Sequence, residues 1–302
     1  MKVVVIVNPN SGPKIRRNKI KSLLQTKINS QNGDITIIET RKKGEGQSLA
    51  KKVAGEGAEL VVAVGGDGTV NDVASGLVHT NIPMGVIPTG SGNGFARNFG
   101  IPLDEEEAVK LIFSGKPHLL KVDAGKINNE YFFNVAGFGF DAVIAREFEK
   151  YDFRGPLPYF WAGLKSFFQY VPPEIEIRIN DEKETIHPFL LCFANGPQFG
   201  NNAFISPTAD PQDGLLNMVT VPEISWLRAL LYTPRLFNQT IDRVKYYRER
   251  LIQSCTLHAS DPVIAHLDGE FMVFENKLKI ESVKGALNVV SQFNGDKNET
   301  FG

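Results

Sequence analysis

Three turns in the sequence set carboxylates beside glycines, and each suits a different part of phosphate chemistry. The first is Gly65-Gly66-Asp67-Gly68-Thr69, which follows the apolar run Val61-Val62-Ala63-Val64 and leads into Val70-Asn71-Asp72. Glycines let a backbone turn sharply and approach an anion, and the amide N–H groups at a helix start point toward it. Paired glycines alone read as an ordinary strand-to-helix turn. Gly-Gly-Asp-Gly-Thr after a buried strand favours a cradle for nucleotide phosphates. The loop is neither a Walker sequence nor the Gly-x-Gly-x-x-Gly dinucleotide fingerprint. Asp67 among phosphate-binding amides makes sense when a cation offsets its charge, and Mg²⁺ bridging phosphates is the usual reason.

The second turn is Asp210-Pro211-Gln212-Asp213-Gly214-Leu215. Its two carboxylates and nearby carbonyls suit a hard cation with waters, and equally a plain hairpin turn. The third, Leu267-Asp268-Gly269-Glu270, lies between apolar runs. It reads as a hairpin turn or as the seat of a general base, Glu270, at a strand edge. A further loop, Pro88-Thr89-Gly90-Ser91-Gly92-Asn93-Gly94-Phe95-Ala96-Arg97, could complete a nucleotide site opposite the first. Arg97 there serves either a phosphate or the surface.

These loops need strands to hold them. Val3 to Val7 reads as a buried strand ending in Asn8-Pro9-Asn10-Ser11-Gly12, and residues 14 to 28 as an amphipathic helix. A strand over Ile35 to Ile38 ends at Glu39-Thr40, and a helix follows over Gly46 to Ala54. Leu60 to Val64 is a third strand, Val70 to Val78 a helix, and Pro83 to Pro88 a fourth strand. Residues 104 to 114 form a helix whose acidic start suits the helix dipole. This alternation predicts parallel β with helices on both faces, and ligands at the carboxyl ends of the strands.

The composition shifts at about Lys121. Beyond it, short strands recur over 122–125, 131–135, 174–179, 189–194, 215–219, 254–258, 263–267 and 278–280, with turn residues between many of them, which predicts an antiparallel sandwich. The expected organisation is an α/β nucleotide-binding domain over 1–121 and a β-sandwich over 122–288. The C-terminal tail, 289–302, is expected to return to the first domain and to fray from Asn294. Two aromatic segments with basic residues among them, 157–171 and 225–247, interrupt the strands. Each reads as a helix packed on the sandwich or as one lying on an anionic bilayer.

With 302 residues the chain is long enough for two domains, and its net charge of −1 argues against nucleic-acid binding. Cys192 and Cys255 sit in apolar runs and read as buried free thiols. The opening apolar run is too short for a signal peptide, and no run spans a membrane, so a cytoplasmic protein is expected. The five histidines show no metal spacing and receive no role. No Ser-His-Asp arrangement or nucleophile elbow is present, which disfavours a hydrolase.

Taken in order, these segments resemble one family: Asn8-Pro9-x-Ser11-Gly12, Gly65-Gly66-Asp67-Gly68-Thr69, Pro88-Thr89-Gly90-Ser91-Gly92-Asn93, Asn134-x-x-Gly137-x-Gly139-Phe140-Asp141, Asp210-x-x-Asp213-Gly214 and Asp268-Gly269-Glu270. The ordered set is similar to the soluble lipid kinases of the diacylglycerol kinase catalytic-domain family, which include sphingoid-base and ceramide kinases. The resemblance covers about residues 1 to 290. It implies an active site in the cleft between the two domains and transfer of the ATP γ-phosphoryl to a lipid hydroxyl. It implies ATP contacts at Asn8, Asn10, Ser11, Gly12, Thr40, Gly65, Gly66, Asp67, Gly68, Thr69, Asn71, Thr89 and Gly90. Asp67 would act through Mg²⁺, and Glu270 would match the general base with Asp268 sharing that role. Asp210, Asp213 and the Leu215 carbonyl would match a structural Mg²⁺ site. The implied partner is a lipid at a membrane surface, with peripheral contact at the inner face and a homodimer left open.

The chain departs from the family in two places. Asp72 stands where Glu is frequent, and Gly94 stands where many bacterial diacylglycerol kinases carry Asp. The choice between diacylglycerol and a long-chain base therefore stays open. The alternatives are NAD kinase, which shares the Gly-Gly-Asp-Gly loop, and a non-catalytic lipid- or nucleotide-binding regulator.

Overall fold

A computed structural model describes residues 1–30, 34–114, 117–150 and 169–293. The chain divides into two compact units, Met1–Ala124 with the chain from Lys284, and Gly125–Val283. The first unit alternates β1 (Lys2–Val7), α1 (Lys14–Ser30), β2 (Asp34–Glu39), α2 (Glu45–Gly55), β3 (Leu60–Gly65), α3 (Asp67–Leu77), β4 (Pro83–Pro88), α4 (Gly94–Asn98) and α5 (Glu105–Ile112), and leaves through β5 (His118–Ile127). The strands lie in the order β2-β1-β3-β4 and are parallel throughout. Val3, Val5, Val62, Val64 and Ile87 are buried under Ile20, Leu24, Val109 and Ile112 of the helices. That arrangement explains why β1 and β3 are continuous apolar runs: helices cover both faces of a parallel sheet.

Helix α3 starts at Asp67, three residues before the helix expected from the sequence. The Val70 amide donates to the Gly66 carbonyl at 3.0 Å, so the Gly-Asp-Gly segment is the first turn of the helix and not a loop before it. Its acid therefore sits where the helix dipole favours negative charge. Helices α2 and α3 pack backbone to backbone at Gly76, where a Cβ would lie 2.4 Å from the Gln47 carbonyl oxygen and 2.8 Å from Ala50 Cβ.

The second unit carries β6 (Glu130–Phe132), β7 (Val135–Gly137), α6 (Phe140–Lys150), β8 (Ile175–Ile179), β9 (Glu182–Ile186), β10 (Pro188–Ala194), β11 (Leu216–Pro222), α7 (Trp226–Phe237), β12 (Arg248–Ile252), β13 (Ser254–Ala259), β14 (Val263–Leu267), β15 (Glu270–Phe274) and β16 (Lys277–Ser291). One sheet runs β12-β11-β10-β7-β14-β15, and β9-β8-β13 with the first half of β16 make another. Phe138, Leu191, Phe193, Leu216 and Ala265 from the first sheet and its flanks meet Ile175, Ile177, Leu257 and Ile280 from the second in one core. The second half of β16 belongs to the first unit, where Asn288 and Val289 pair in parallel with Pro83 and Met84. There the Ser291 hydroxyl donates to the Phe99 carbonyl at 2.8 Å. The mixed parallel α/β unit and the antiparallel two-sheet unit are the fold class expected from the sequence.

Several elements were not anticipated. Strands β9, β12 and β15 and helix α6 carry charged or exposed residues that mask their periodicity. Residues 225–247 are not one helical stretch: α7 ends at Phe237, and a 3-10 turn over Ile241–Arg243 follows. Of the aromatic segment 157–171, residues 157–168 lie outside the described residues, as do 294–302 of the tail.

Replacing Gly76 with Ala tests the α2–α3 contact. Helix propensity alone would stabilise the variant by about 1 kcal/mol. The nearest obstacle is a backbone oxygen that cannot swing aside, and overpacking of this kind costs about 1–3 kcal/mol. A lower urea midpoint for Gly76→Ala is expected, and a raised one would refute the contact.

Candidate functional site

In the first unit the loops after β1, β3 and β4 converge. The Asn8 amide nitrogen donates to Thr69 Oγ1 at 3.0 Å, and Thr89 Oγ1 donates to Ser11 Oγ at 2.7 Å. The Asn10 amide donates to Asn8 Oδ1 at 2.9 Å, which shapes the turn after β1. Thr40, at the end of β2, donates its backbone amide to the Val7 carbonyl at 2.9 Å. Glycines make this convergence possible. A Cβ on Gly90 would lie 2.8 Å from Gly66 Cα, and one on Gly65 2.4 Å from Thr69 Cβ. Gly12, at φ +71°, turns its backbone against the Thr89 carbonyl.

The structure thus gathers Asn8, Asn10, Ser11, Gly12, Thr40, Gly65, Gly66, Asp67, Gly68, Thr69, Thr89 and Gly90 at one end of the parallel sheet. Asn71 follows in the second turn of α3, where it accepts from the Ser75 hydroxyl at 3.2 Å. Asp67 faces the loop after β4. Its Oδ1 accepts from the Phe95 amide at 3.4 Å, and its Oδ2 lies 3.0 Å from where a Gly92 Cβ would stand. Asn93 is left-handed, at φ +47°, and donates Nδ2 to the Gly90 carbonyl at 3.0 Å. Its Oδ1 is buried without a hydrogen-bond partner among the described residues. A buried acceptor in need of a donor, beside amides and a carboxylate at a helix start, fits a nucleotide with a hydrated Mg²⁺. Asp67 is the group here that would reach such an ion through water or phosphate.

In the second unit the turn between β14 and β15 is pinned from beneath. Asp268 is left-handed at φ +50° and almost fully buried. Its Oδ2 accepts from the Phe133 amide at 2.9 Å, and its Oδ1 from the amides of Asn134 at 2.8 Å and Val135 at 3.1 Å. A carboxylate committed to three amides is a poor proton acceptor, because protonation would weaken all three bonds. This geometry makes Asp268 the residue that positions the turn, in place of the shared base role implied by the resemblance. Glu270 is half-buried at the first position of β15, the edge strand of its sheet.

His266 is the functional candidate that sequence reasoning missed. Its Nδ1 accepts from the Gly269 amide at 3.3 Å, which places the ring proton on Nε2, and Nε2 lies 3.1 Å from Asp141 Oδ2. Asp141 also accepts from the Gly139 amide at 2.9 Å and from the Cys192 thiol at 3.2 Å. Burial pushes the Asp141 carboxyl up, but the bonds from His266, Cys192 and Gly139 outweigh it and hold the group below the usual carboxylate range. Burial and the neighbouring carboxylate raise the Cys192 thiol well above its ordinary value, so it is no nucleophile. Gly137 is required beneath this pair, since a Cβ there would stand 1.7 Å from Asp141 Oδ2 and 2.5 Å from His266 Nε2. The Gly137-x-Gly139-Phe140-Asp141 segment was the available signal. Nothing local tied it to a histidine 125 residues away.

Asp210 and Asp213 each give one oxygen to their own turn: Asp210 Oδ1 to the Gln212 amide at 3.0 Å, and Asp213 Oδ1 to the Leu215 amide at 2.8 Å. Among the described residues no group of three or more His, Cys, Asp or Glu side chains gathers as metal ligands. Two carboxylates and the Leu215 carbonyl would suit a hard cation that keeps several waters.

Comparison with known proteins accounts for both units. Residues 2–127 match the family described as Diacylglycerol kinase catalytic domain, and residues 134–291 match the YegS C-terminal NAD kinase beta sandwich-like domain. A Chromohalobacter salexigens protein named "Probable lipid kinase YegS-like" is 30% identical over 246 residues, covering 78% of each chain. A Bacillus subtilis diacylglycerol kinase is 27% identical over 277 residues, covering 88% of this chain and 89% of that one. A crystal structure of a diacylglycerol kinase from Bacillus anthracis superposes with a TM-score of 0.71 at 21% identity, covering 96% of this chain and 97% of that one. Glycine-lined strand ends in one unit, a pinned Asp-Gly-Glu turn in the other, and matches along both place this chain in the diacylglycerol kinase catalytic-domain family.

Proposed function

We propose that the protein is an ATP-dependent lipid kinase that transfers the γ-phosphoryl group to the hydroxyl of a diacylglycerol or a sphingoid base, with Mg²⁺ as the charge-neutralising ion. The observation that carries this reading is the convergence of the β1, β3 and β4 loops on Asp67 at the start of α3. Phosphoryl transfer asks a protein mainly for positioning and charge neutralisation. Backbone amides, the hydroxyls of Ser11, Thr69 and Thr89, and a carboxylate for the ion supply these for the donor nucleotide. On the acceptor side, a lipid hydroxyl needs a carboxylate that can take its proton. Asp268 is spent on three amides, so the base is Glu270, and His266 and Asp141 hold the turn that presents it.

The decisive assay is phosphorylation by the purified protein, with labelled ATP and Mg²⁺, of diacylglycerol, sphingoid base, ceramide, monoacylglycerol and NAD. Transfer to at least one lipid, abolished by a chelator, is expected. Label on NAD and on no lipid would overturn the reading.

Glu270→Gln and Asp268→Asn separate the two carboxylates. Loss of a general base costs roughly 10²–10⁴-fold in turnover, so Glu270→Gln should fall by that factor with ATP affinity and unfolding midpoint intact. Asp268→Asn leaves buried amides short of an acceptor and should lose about 1–3 kcal/mol of stability. Equal loss of turnover and nucleotide affinity in Glu270→Gln would make Glu270 structural instead.

Asp141 gives a pH test. Its folded carboxyl is held below the ordinary value, so its stabilisation is complete above the unfolded pKa and is lost as pH falls through the lower folded one. Urea midpoints measured from about pH 6 down to about pH 2 should drop less steeply in Asp141→Asn than in the parent. An unchanged slope would dismiss the contact of an ionised Asp141 carboxylate with His266.

A further inference from the structure

Helix α7 is apolar on two faces, and the side chains that join buried clusters among the described residues lie on one of them. Ala229, Tyr232 and Leu236 lie against buried clusters that contain Phe189, Val221, Ile224, Ile205 and Val219. The opposite face carries Trp226, Leu227, Leu230, Leu231, Pro234 and Phe237, spaced so that they cover a little over a third of the helix circumference without a polar side chain among them. Leu227, Leu230, Leu231 and Phe237 are 54%, 53%, 69% and 55% exposed, and no residue of the helix is fully buried. A helix in a globular protein ordinarily turns a polar face outward, and one that is apolar all round is ordinarily buried in protein or lipid. Contiguous exposed apolar surface of this kind marks an interaction site.

Charge identifies the partner. Arg228 and Arg235 border one edge of the apolar face, and from Glu223 to Glu249 five cations (Arg228, Arg235, Arg243, Lys245 and Arg248) stand against three acids, Glu223, Asp242 and Glu249. Arg228 and Lys245 sit 5.1 and 5.9 Å from the centre of the Tyr246 ring, so their charges gather on one side of the helix. Among the described residues neither they nor Arg235 and Arg243 enter an ion pair with an acid. The chain as a whole is nearly neutral, so this basic rim is local. An apolar strip with tryptophan at one end and cations along its edge matches the layered chemistry of an anionic bilayer: acyl chains, interface and phosphate headgroups. Among the described residues no helix is long and apolar enough to cross a membrane, which leaves α7 to lie in the surface plane.

We infer that α7 is a membrane-docking helix: its Trp226–Leu227–Leu230–Leu231–Phe237 face enters the outer acyl layer of an anionic bilayer, and Arg228 and Arg235 bind lipid phosphates. The inference deepens the lipid-kinase reading, on which it rests, by stating which surface meets the membrane that holds the acceptor.

The test uses the full chain without nucleotide, sedimented with phosphatidylcholine vesicles with and without phosphatidylglycerol. The parent should bind the phosphatidylglycerol vesicles, less so at high salt, and with Trp161→Phe in place the remaining Trp226 emission should shift to the blue. Leu227→Glu/Leu231→Glu should lower the vesicle partition by about tenfold or more, since withholding even one of the two leucines from the acyl layer has about that effect. Arg228→Gln/Arg235→Gln should remove the preference for phosphatidylglycerol. Both variants should keep the parent thermal midpoint and parent turnover on a short-chain, water-dissolved acceptor. Unchanged vesicle binding in Leu227→Glu/Leu231→Glu overturns the inference. So does a parent dimer that this variant splits without any vesicle effect, which would give the face to a second copy. A large fall in thermal midpoint with intact vesicle binding would give it to the chain's own packing. If the parent phosphorylates no lipid but the vesicle results hold, the lipid-kinase reading fails and the docking surface stands.

Discussion

The nucleotide half of the molecule depends on an approach between two loops that no side chain could survive. Gly66 and Gly90 come so close that a Cβ on either would lie within 3.3 Å of the other's Cα, which brings the end of β3 and the end of β4 into backbone contact. Everything else there follows from that distance. With the two backbones in contact, the Thr89 hydroxyl reaches Ser11, the Asn8 amide reaches Thr69, and Asp67 faces the Phe95 amide. A larger residue at either glycine would move three loops at once, because each is held by a bond to its neighbour. The convergence of these loops, the proposed phosphate cradle, is thus built by backbone proximity, and its side chains mostly hold the backbones in place.

The second unit solves a different problem with the opposite material. Its turn after β14 sets Glu270, the proposed base, at a sheet edge, and a two-residue turn at an edge is a mobile place. Three amides on Asp268, the Gly269 amide on His266, and His266 on Asp141 tie that turn to β7, to the start of α6 and to β10. Most of these bonds are buried and several involve a charge, which places them among the stronger hydrogen bonds a protein makes. Two acidic residues two apart thereby have unlike fates. Asp268 is used up as an acceptor for the backbone, and Glu270 begins the edge strand. Charge and spacing in the sequence are the same for both, so only the partners separate a positioning carboxylate from one that can do chemistry.

That contrast also marks what could be read from the residues alone. The parallel unit was legible because each buried strand is a run of β-branched residues that stops at a glycine-rich loop, and both signals are local. The sandwich was legible as a class, but β9, β12 and β15 were not, since Glu182–Ile186, Arg248–Ile252 and Glu270–Phe274 keep charged or half-exposed residues along their length. The loop residues from Asn8 to Thr89 could be grouped because they end neighbouring strands of one predicted sheet. The role of His266 could not, because its meaning lies in a pairing between β14 and α6 that no periodicity encodes. Gly137 shows the same limit from the other side. As a residue it announces only close approach, and the structure supplies the Asp141 and His266 side chains that approach it.

Helix α7 extends this reasoning to the surface. The sequence of residues 225–247 admitted a packed helix or a membrane helix; one face of α7 packs on the sandwich, and the membrane reading of the other face is the inference drawn above. Tyr232 and Leu236 satisfy the sandwich, so the core has no further claim on the helix. Among the described residues no buried cluster includes Leu227, Leu230, Leu231 or Phe237, and exposing them carries a standing cost in solubility. A chain that nonetheless keeps the strip unbroken, with arginines along its border, is under a requirement that comes from outside the fold. An acceptor that never leaves the bilayer would impose that requirement, because the enzyme must come to it.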